Sequence, residues 1–147
     1  MHIENKKAPF EYTISDRVEA GVALTGPEVK SLRGGHAKLE GAFVRVIDTE
    51  AYLVNAQIYP YPNARLDKYD PKRTRKLLLH KKEIVSLKSK IDSGNLTLIP
   101  MTWYTKGPRI KLQIGLARGK KQYEKREQKK RADQKRELER EYRGKVK

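Results

Sequence analysis

A dense group of cations lies in the middle of the chain, in the run Asp70-Pro71-Lys72-Arg73-Thr74-Arg75-Lys76, which we call the basic loop. Its cations are Lys72, Arg73, Arg75 and Lys76. Positive charge at this density predicts a surface that binds phosphate groups. Three tyrosines stand nearby in the sequence, Tyr59, Tyr61 and Tyr69. Cations interleaved with aromatic rings suit RNA, because unstacked bases can lie on the rings. The alternative is that the tyrosines pack the rim of the fold.

The histidines offer little support for an enzyme. The chain has His2, His36 and His80, with no His-x-x-x-His spacing for a metal and no GxxxxGK[ST] loop for nucleotide phosphates. Metal-independent RNA cleavage would need a general base and acid, and His80 and Glu83 are close enough in sequence to be considered. Polar residues at the start of a helix more often cap it or contact phosphate. We therefore expect no catalytic residue, metal or cofactor.

A single carboxylate stands in the strand-like run Arg17-Val18-Glu19-Ala20-Gly21. In a basic RNA-binding protein, Glu19 could pair with a neighbouring Lys or Arg and hold it toward phosphate. It could also accept hydrogen bonds from the edge of a base. The alternative is an ordinary exposed strand residue.

The composition points to a polyanionic partner. The chain has 147 residues, with 34 Lys and Arg against 18 Asp and Glu, and a formal net charge of +16. A charge balance of this kind is typical of nucleic-acid binding. The absence of cysteine excludes disulfides and thiolate metal sites. No apolar run approaches the ~20 residues of a membrane span, and the first nine residues lack the apolar core of a signal peptide. We expect a cytoplasmic monomer that does not bind membranes.

The charge divides the chain into two parts. Residues 118–147 carry a net charge of +8 with very few large apolar side chains, and residues 1–117 carry the other +8. We predict an RNA-binding domain over residues 1–117 and a basic tail over residues 118–147. The tail cannot bury enough apolar surface to fold alone, so we expect it to be disordered when free. Its Lys, Arg, Glu and Gln favour a helix once a polyanion neutralises it. The alternative is a solvated solubility tail.

Alternating apolar and polar residues predict that the body is mostly strand. The predicted strands cover Phe10 to Ile14, Val18 to Leu24, Phe43 to Ile47, Tyr52 to Ile58, Leu96 to Tyr104 and Ile110 to Leu116. Helices are predicted over Gly26 to Gly34 and His80 to Ser93. This pattern favours a mainly β fold, a small closed or partly open antiparallel β-barrel of the oligonucleotide-binding type. An open sandwich fits the pattern almost as well.

The first predicted helix adds two cations to the candidate RNA-binding residues. Lys30 and Arg33 share one face of it, and Val29 and Leu32 share another, apolar face. We therefore include Lys30 and Arg33 in the predicted RNA surface.

Three sequence blocks resemble the SsrA-binding protein (small protein B) family, the partner of transfer-messenger RNA (tmRNA) in trans-translation. The blocks are Glu19 to Arg33, Asp70 to Leu79, and Gly115 to Arg126. They occur in the family's order, and the resemblance runs from Asn5 to about Arg143. It implies an oligonucleotide-binding barrel with three helices, no enzymatic activity, and a tail that becomes helical when bound. It also implies binding to the tRNA-like part of tmRNA and delivery of that RNA to stalled ribosomes.

The resemblance also suggests roles for individual residues. Glu19 and Leu78 match positions implicated in RNA binding, and His80 stands where many members have Asn. Tail residues that match positions tied to the ribosomal decoding centre and vacant mRNA channel are Lys120, Lys121, Tyr123, Glu124, Lys125 and Arg126. A general single-stranded RNA-binding or ribosome-binding protein on the same fold is the alternative function.

Overall fold

The computed structural model describes residues 1–61, 68–119 and 132–136. Its elements are β1 (His2–Glu4), α1 (Ala8–Glu11), β2 (Tyr12–Val22), α2 (Gly26–Arg33), β3 (Ala37–Lys38), β4 (Phe43–Ile47), β5 (Glu50–Val54), β6 (Gln57–Ile58), β7 (Arg75–Leu78), α3 (Lys81–Gly94), β8 (Thr97–Lys106) and β9 (Arg109–Gly119). Residues 132–136 are also helical. Among the described residues, every helix is too short or too polar to span a lipid bilayer.

The strands form a partly open antiparallel barrel. The main sheet has seven strands in the order β1-β8-β4-β5-β7-β2-β9, and β9 pairs back onto β8. Six strands therefore follow one another around a ring, with β1 added at its side. The ring is weakest between β4 and β8, where Val44 and Leu98 form the paired position. The prediction of a mainly β, barrel-like fold is confirmed.

The interior is built by the alternation seen in the sequence. On β9, Leu112, Ile114 and Leu116 point inward, and each is at most 2% exposed. Trp103 on β8 is fully buried beside them, opposite Leu112 in the strand register. Because side chains alternate along a strand, one face of β9 packs on the core and the other face is available for a ligand.

Two helices, α2 and α3, close the barrel. Capping residues mark the start of α2 and the end of α3. Thr25 caps α2 through a reciprocal capping box: its Oγ1 accepts the Glu28 N–H at 3.3 Å, and its N–H donates to Glu28 Oε1 at 2.9 Å. Helix α3 packs Leu87 and Ile91 on the barrel core, and its Ile84 is also buried. It continues through Gly94, one residue beyond the predicted stop, because Asn95 takes the left-handed conformation at φ 51° that ends a helix.

Several predicted strands differ from the observed ones. The strands predicted over Phe10 to Ile14 and Val18 to Leu24 form one continuous strand, β2, that ends at Val22. Phe10 lies in α1, not in a strand; it follows Pro9, whose fixed φ suits a first helical turn, and its side chain is 46% exposed. The predicted strand from Tyr52 to Ile58 is divided into β5 and β6. Asn55 stands between them with a φ of 68°, which no strand residue adopts.

Candidate nucleic-acid interface

The basic loop does not present all its cations to solvent. The Arg75 side chain is fully buried, and so is the carboxylate that it meets, Glu28. Arg75 Nε donates to Glu28 Oε2 at 2.7 Å, and its terminal nitrogens donate to the carbonyls of Ala56 and Pro71 at 2.8 and 3.1 Å. The structure therefore places Arg75 inside the protein, where its charge and donors are used, and not on the exposed surface predicted to bind phosphate.

Arg73 contributes to the same buried cluster. Its Nε donates to Glu28 Oε2 at 3.1 Å, and its terminal nitrogen pairs with the other carboxylate oxygen. Burial opposes the charge on Glu28, but hydrogen bonds from Arg73, Thr25 and Arg75 outweigh it and lower the pKa of Glu28 to about 2. The Tyr69 hydroxyl also lies 3.2 Å from Glu28 Oε2, so its ring is part of the packing. Arg73 is 34% exposed, so one side of its guanidinium still faces solvent.

The remaining cations of the basic loop, Lys72 and Lys76, are exposed. The Lys72 backbone N–H is held by Asp70 Oδ1 at 2.9 Å, which fixes the turn before β7. Lys76 Nζ lies 3.1 Å from Glu50 Oε1 in an exposed ion pair, which an RNA phosphate could displace at small cost. The phosphate-binding role predicted for the loop therefore fits Lys72 and Lys76, with Arg73 partly available.

A line of four residues crosses the outer face of the barrel. Leu78 on β7 is opposite Gly21 on β2, Gly21 is opposite Lys111 on β9, and Lys111 is opposite Tyr104 on β8. Directly opposed residues of antiparallel strands point to the same face. We call this set the cross-strand row. Leu78 is 55% exposed, so the row carries an apolar surface beside a cation.

Glu19 lies beside the cross-strand row, two residues before Gly21 on the same face of β2. The Tyr104 hydroxyl donates to Glu19 Oε2, and Lys106 Nζ donates to Oε1 at 3.3 Å. The hydrogen bond from Tyr104 is the main cause that lowers the pKa of Glu19 below its ordinary value, and Lys106 and Lys111 add to it. Partial burial and the same hydrogen bond raise the pKa of Tyr104 to about 12. Glu19 is thus an ionised acceptor held in place by two neighbours.

The two cations of α2 point to different neighbours. Lys30 Nζ lies 5.8 Å from the centroid of the Tyr61 ring, a cation–π contact at the surface. Arg33 is exposed and its terminal nitrogen donates to the Pro108 carbonyl at 2.9 Å, which ties α2 to the turn between β8 and β9. Pro108 lines a surface groove together with Leu78, Gly21 and Lys111 of the cross-strand row. Arg33 is therefore close to this row, whereas Lys30 and Tyr61 form a separate contact.

His80 stands at the N-terminus of α3 and is exposed. Its backbone N–H donates to Glu83 Oε1 at 3.2 Å, so Glu83 caps the helix. The position of His80, two residues after Leu78, keeps it close to the cross-strand row. The predicted tail residues Lys120, Lys121, Tyr123, Glu124, Lys125 and Arg126 lie outside the described residues.

A comparison with protein families assigns the chain to one of them. The model of the SmpB protein family matches residues 2–144. The chain belongs to the SmpB family. The resemblance seen in the three sequence blocks is therefore confirmed over nearly the whole chain.

Two relatives named SsrA-binding protein share about half of their residues with this chain. The SsrA-binding protein of Sulfurihydrogenibium sp. (strain YO3AOP1) is 50% identical over 143 residues, which is 97% of this chain and 94% of that protein. That of Aquifex aeolicus (strain VF5) is 46% identical over 144 residues, 97% of this chain and 92% of that protein. A solved chain described as "tmRNA-SmpB: a journey to the center of the bacterial ribosome" matches with a TM-score of 0.69 and 45% identity, covering 82% of this chain and 85% of that chain.

Within this SmpB-family barrel, the sequence reasoning missed several side chains. Glu28 was not singled out, although its position three residues after Thr25 is the signature of a capping box. Tyr104, Lys106 and Lys111 were also missed. Their signal is the period-two spacing of the predicted hairpin, which puts alternate residues of its two strands on one face. The partnership of Tyr104 and Lys106 with Glu19 could not be read from the sequence, because it depends on the strand order.

Proposed function

We propose that this protein binds the tRNA-like domain of tmRNA, also called SsrA RNA, and delivers it to stalled ribosomes for rescue by trans-translation. The observation that carries the proposal is the similarity, over nearly the full chain, to proteins named SsrA-binding protein. The likeness to a chain described with tmRNA and the bacterial ribosome supports the same partners. No cofactor is needed for such an adaptor.

The barrel face around the cross-strand row is the RNA-binding surface of the body. It combines an exposed leucine, Leu78, with an ionised acceptor, Glu19, and with exposed Lys106. A folded RNA is recognised by such a mixture of phosphate, sugar and base contacts. Lys72, Lys76 and Arg33 extend the positive charge around it, and His80 adds a hydrogen-bonding side chain at the N-terminus of α3.

The basic tail, predicted over residues 118–147, is the second RNA-binding part. Strand β9 of the barrel extends to Gly119, so the tail beyond the barrel begins at residue 120. We propose that it enters the vacant mRNA channel and becomes helical there. Lys120, Lys121, Lys125 and Arg126 would then meet ribosomal phosphates at the decoding centre, with Tyr123 stacked on a base and Glu124 beside them. The two segments of the chain, residues 1–117 and 118–147, carry equal net charges of +8, which suits an adaptor between two RNAs.

The proposed function involves no catalysis. His80 and Glu83 were considered as a pair for RNA cleavage. The Glu83 carboxylate instead caps α3, because it accepts the His80 backbone N–H. We therefore assign His80 to RNA contact. Incubation with end-labelled RNA tests this assignment: cleavage products that disappear in His80→Ala would contradict it.

Competition binding separates the adaptor from a general single-stranded RNA-binding protein. The tRNA-like domain of tmRNA and an unstructured RNA of equal length compete for the full chain against one labelled probe, at a fixed salt concentration. The adaptor should bind the tRNA-like domain at least about tenfold more tightly, since specific binding typically exceeds non-specific binding by far more than that. Equal competition would contradict the adaptor proposal and favour the alternative.

A further inference from the structure

The outer face of the β4–β5 hairpin carries an exposed apolar patch. Side chains alternate along both strands, so every second residue faces away from the core. Phe43 and Ile47 on β4 are 37% and 49% exposed. The outward residues pair across the hairpin as Phe43 with Val54, Arg45 with Tyr52, and Ile47 with Glu50. We call these six residues the hairpin face.

The hairpin is negatively charged although the protein is strongly basic. Over residues 43–54 its charged residues are Arg45, Asp48 and Glu50, one cation against two anions, whereas the whole chain has a net charge of +16. Asp48 is exposed at the turn between the strands. Glu50 accepts a hydrogen bond from the Tyr52 hydroxyl and pairs with Lys76. Because contacts between cations and phosphates supply most of the affinity for nucleic acids, a surface of this charge does not favour RNA.

The hairpin face lies across the barrel from Glu19. The six strands of the ring follow the order β4-β5-β7-β2-β9-β8, so β4 and β2 are three strands apart in either direction. RNA held on the outer face of β2 therefore leaves the outer face of β4 uncovered. A third macromolecule can reach the hairpin face while the RNA is bound.

A small hollow adjoins the hairpin face at Phe43. It has a volume of about 90 Å³, its apolar lining includes Phe43, Ala42 and Ile99, and its charged lining is Lys7 and Glu11. A cavity of about 150 Å³ admits benzene, so this smaller hollow suits the end of one aliphatic side chain. Side chains that fill such pockets carry much of the binding energy of protein–protein interfaces.

We propose that the hairpin face is a docking surface for a basic protein of the ribosome. The partner covers Phe43 and Ile47 with apolar side chains and places a Lys or Arg beside Asp48. Exposed apolar patches of this kind mark protein-interaction sites, and the opposite charges of the hairpin and a basic partner favour the encounter. The inference rests on the proposed function, because the chain meets this partner only when it reaches the ribosome.

Site-specific photocrosslinking identifies what covers the hairpin face. The full chain carries p-benzoylphenylalanine in place of Phe43, and the matched control carries it in place of Val85, which is 60% exposed on α3. Each protein is bound with tmRNA to purified ribosomes on a message without a stop codon, irradiated, and treated with nuclease. Position 43 should give a crosslink to one basic ribosomal protein, identified by mass spectrometry, that position 85 does not give. A crosslink only to RNA, to an acidic protein or to a second copy of this chain, or no crosslink, would overturn the proposal.

Truncation of the apolar patch tests its contribution to binding. Ile47→Ser should weaken binding to the stalled ribosome at least about fivefold, as the loss of an apolar contact at the centre of an interface does. Val85→Ser makes the same kind of change on α3 and should stay within about twofold of wild type. Equal affinities of Ile47→Ser and wild type would count against the docking surface.

A charge variant distinguishes a basic protein from RNA at the hairpin. Asp48→Asn removes one negative charge and keeps a residue type that tolerates the left-handed conformation seen at φ 55°. Binding to the stalled ribosome should weaken at least about twofold if a basic protein lies there. The same change would strengthen binding if RNA lay there, and that result would overturn the proposal. Asp92→Asn, at an exposed position of α3, is the matched control and should leave the affinity unchanged.

The outcomes are separable from those of the proposed function. Affinity for the tRNA-like domain should stay within about twofold of wild type in every variant, and thermal unfolding verifies that each variant is folded. Failure of the wild-type chain to sediment with stalled ribosomes would contradict the proposed function, and the docking surface with it. Normal sedimentation and rescue, together with no protein crosslink from position 43, would remove the docking surface alone.

Discussion

Glu28 on α2 and Arg75 on β7 form an ion pair in which both side chains are fully buried, although 47 residues separate them in the sequence. Arg73 and Tyr69 add hydrogen bonds to the same carboxylate. The cluster joins α2 and the basic loop to β7, the strand that carries Leu78. The position of the cross-strand row therefore depends on a cluster of charged side chains in which Arg75 is fully buried.

Removal of the buried carboxylate should be strongly destabilising. Glu28→Gln leaves Arg75 charged and buried without its counter-ion, and the loss expected for a broken buried pair is about 3–5 kcal/mol of unfolding free energy. Urea denaturation followed by circular dichroism measures this loss. The matched control is Asp16→Asn, which breaks the exposed pair with Lys90 at 3.3 Å and should cost less than about 1 kcal/mol. Equal losses in the two variants would contradict the buried cluster.

The same cluster should make stability fall at acidic pH. The folded protein holds the pKa of Glu28 at about 2, against an ordinary value of 4.5. Because the folded-state pKa is depressed, the stabilisation is complete above about pH 5 and is lost as pH falls toward 2. The full effect is about 3 kcal/mol, since one unit of pKa is about 1.4 kcal/mol. Denaturation curves between pH 6 and 2.5 should show the loss in the wild type. Glu28→Gln, in a background stabilised enough to remain folded, should lack this component of the loss.

The sequence predicts local features of this fold better than contacts between distant elements. The alternation in β9 and the capping signals of α2 depend on neighbours in the chain, so they are visible without a structure. The burial of Arg75 depends on Glu28, which no local pattern links to it. One clue exists: Leu77 is an inward strand residue, and a period of two then turns Arg75 inward as well. The density of charge in the basic loop outweighed that clue and suggested an exposed surface.

A close approach between strands should make one glycine sensitive to substitution. A Cβ at Gly115 would lie 2.9 Å from Ile14 Cγ2 and 3.2 Å from Met101 Cγ, in a small apolar cluster outside the main core. Gly115→Ala should therefore lower the unfolding free energy by about 1–3 kcal/mol, the usual cost of overpacking. Gly119→Ala on the same strand is the control, because nothing lies within 4 Å of its Cβ position. Thermal unfolding of both variants measures this loss. A Gly115→Ala protein as stable as wild type would contradict the prediction.

The cations of the basic loop should differ in their effect on salt dependence. Lys72→Gln removes an exposed charge and should reduce the slope of log K against log salt for the tRNA-like RNA by about 0.7–0.9, the value of one phosphate contact. Arg75→Met should lower stability and leave that slope unchanged, because its guanidinium is inside the protein. Titrations at four salt concentrations measure both slopes. A reduced slope in folded Arg75→Met would show that this arginine reaches RNA.

Removal of the basic tail should separate RNA binding from ribosome rescue. The cut belongs after Gly119, because Gly119 still pairs with Tyr12 and completes the contact between β9 and β2. The chain of residues 1–119 keeps Glu19 and the whole cross-strand row, so its affinity for the tRNA-like domain should stay within about threefold of wild type at high salt, where the tail's long-range charge is screened. Rescue should be abolished, as measured by tagging of a peptide translated from a message without a stop codon. A matched chain in which residues 120–147 are replaced by a Gly/Ser linker of equal length tests whether length alone suffices. Rescue by that linker chain, or loss of RNA binding in the 1–119 chain, would contradict two separate RNA-binding parts.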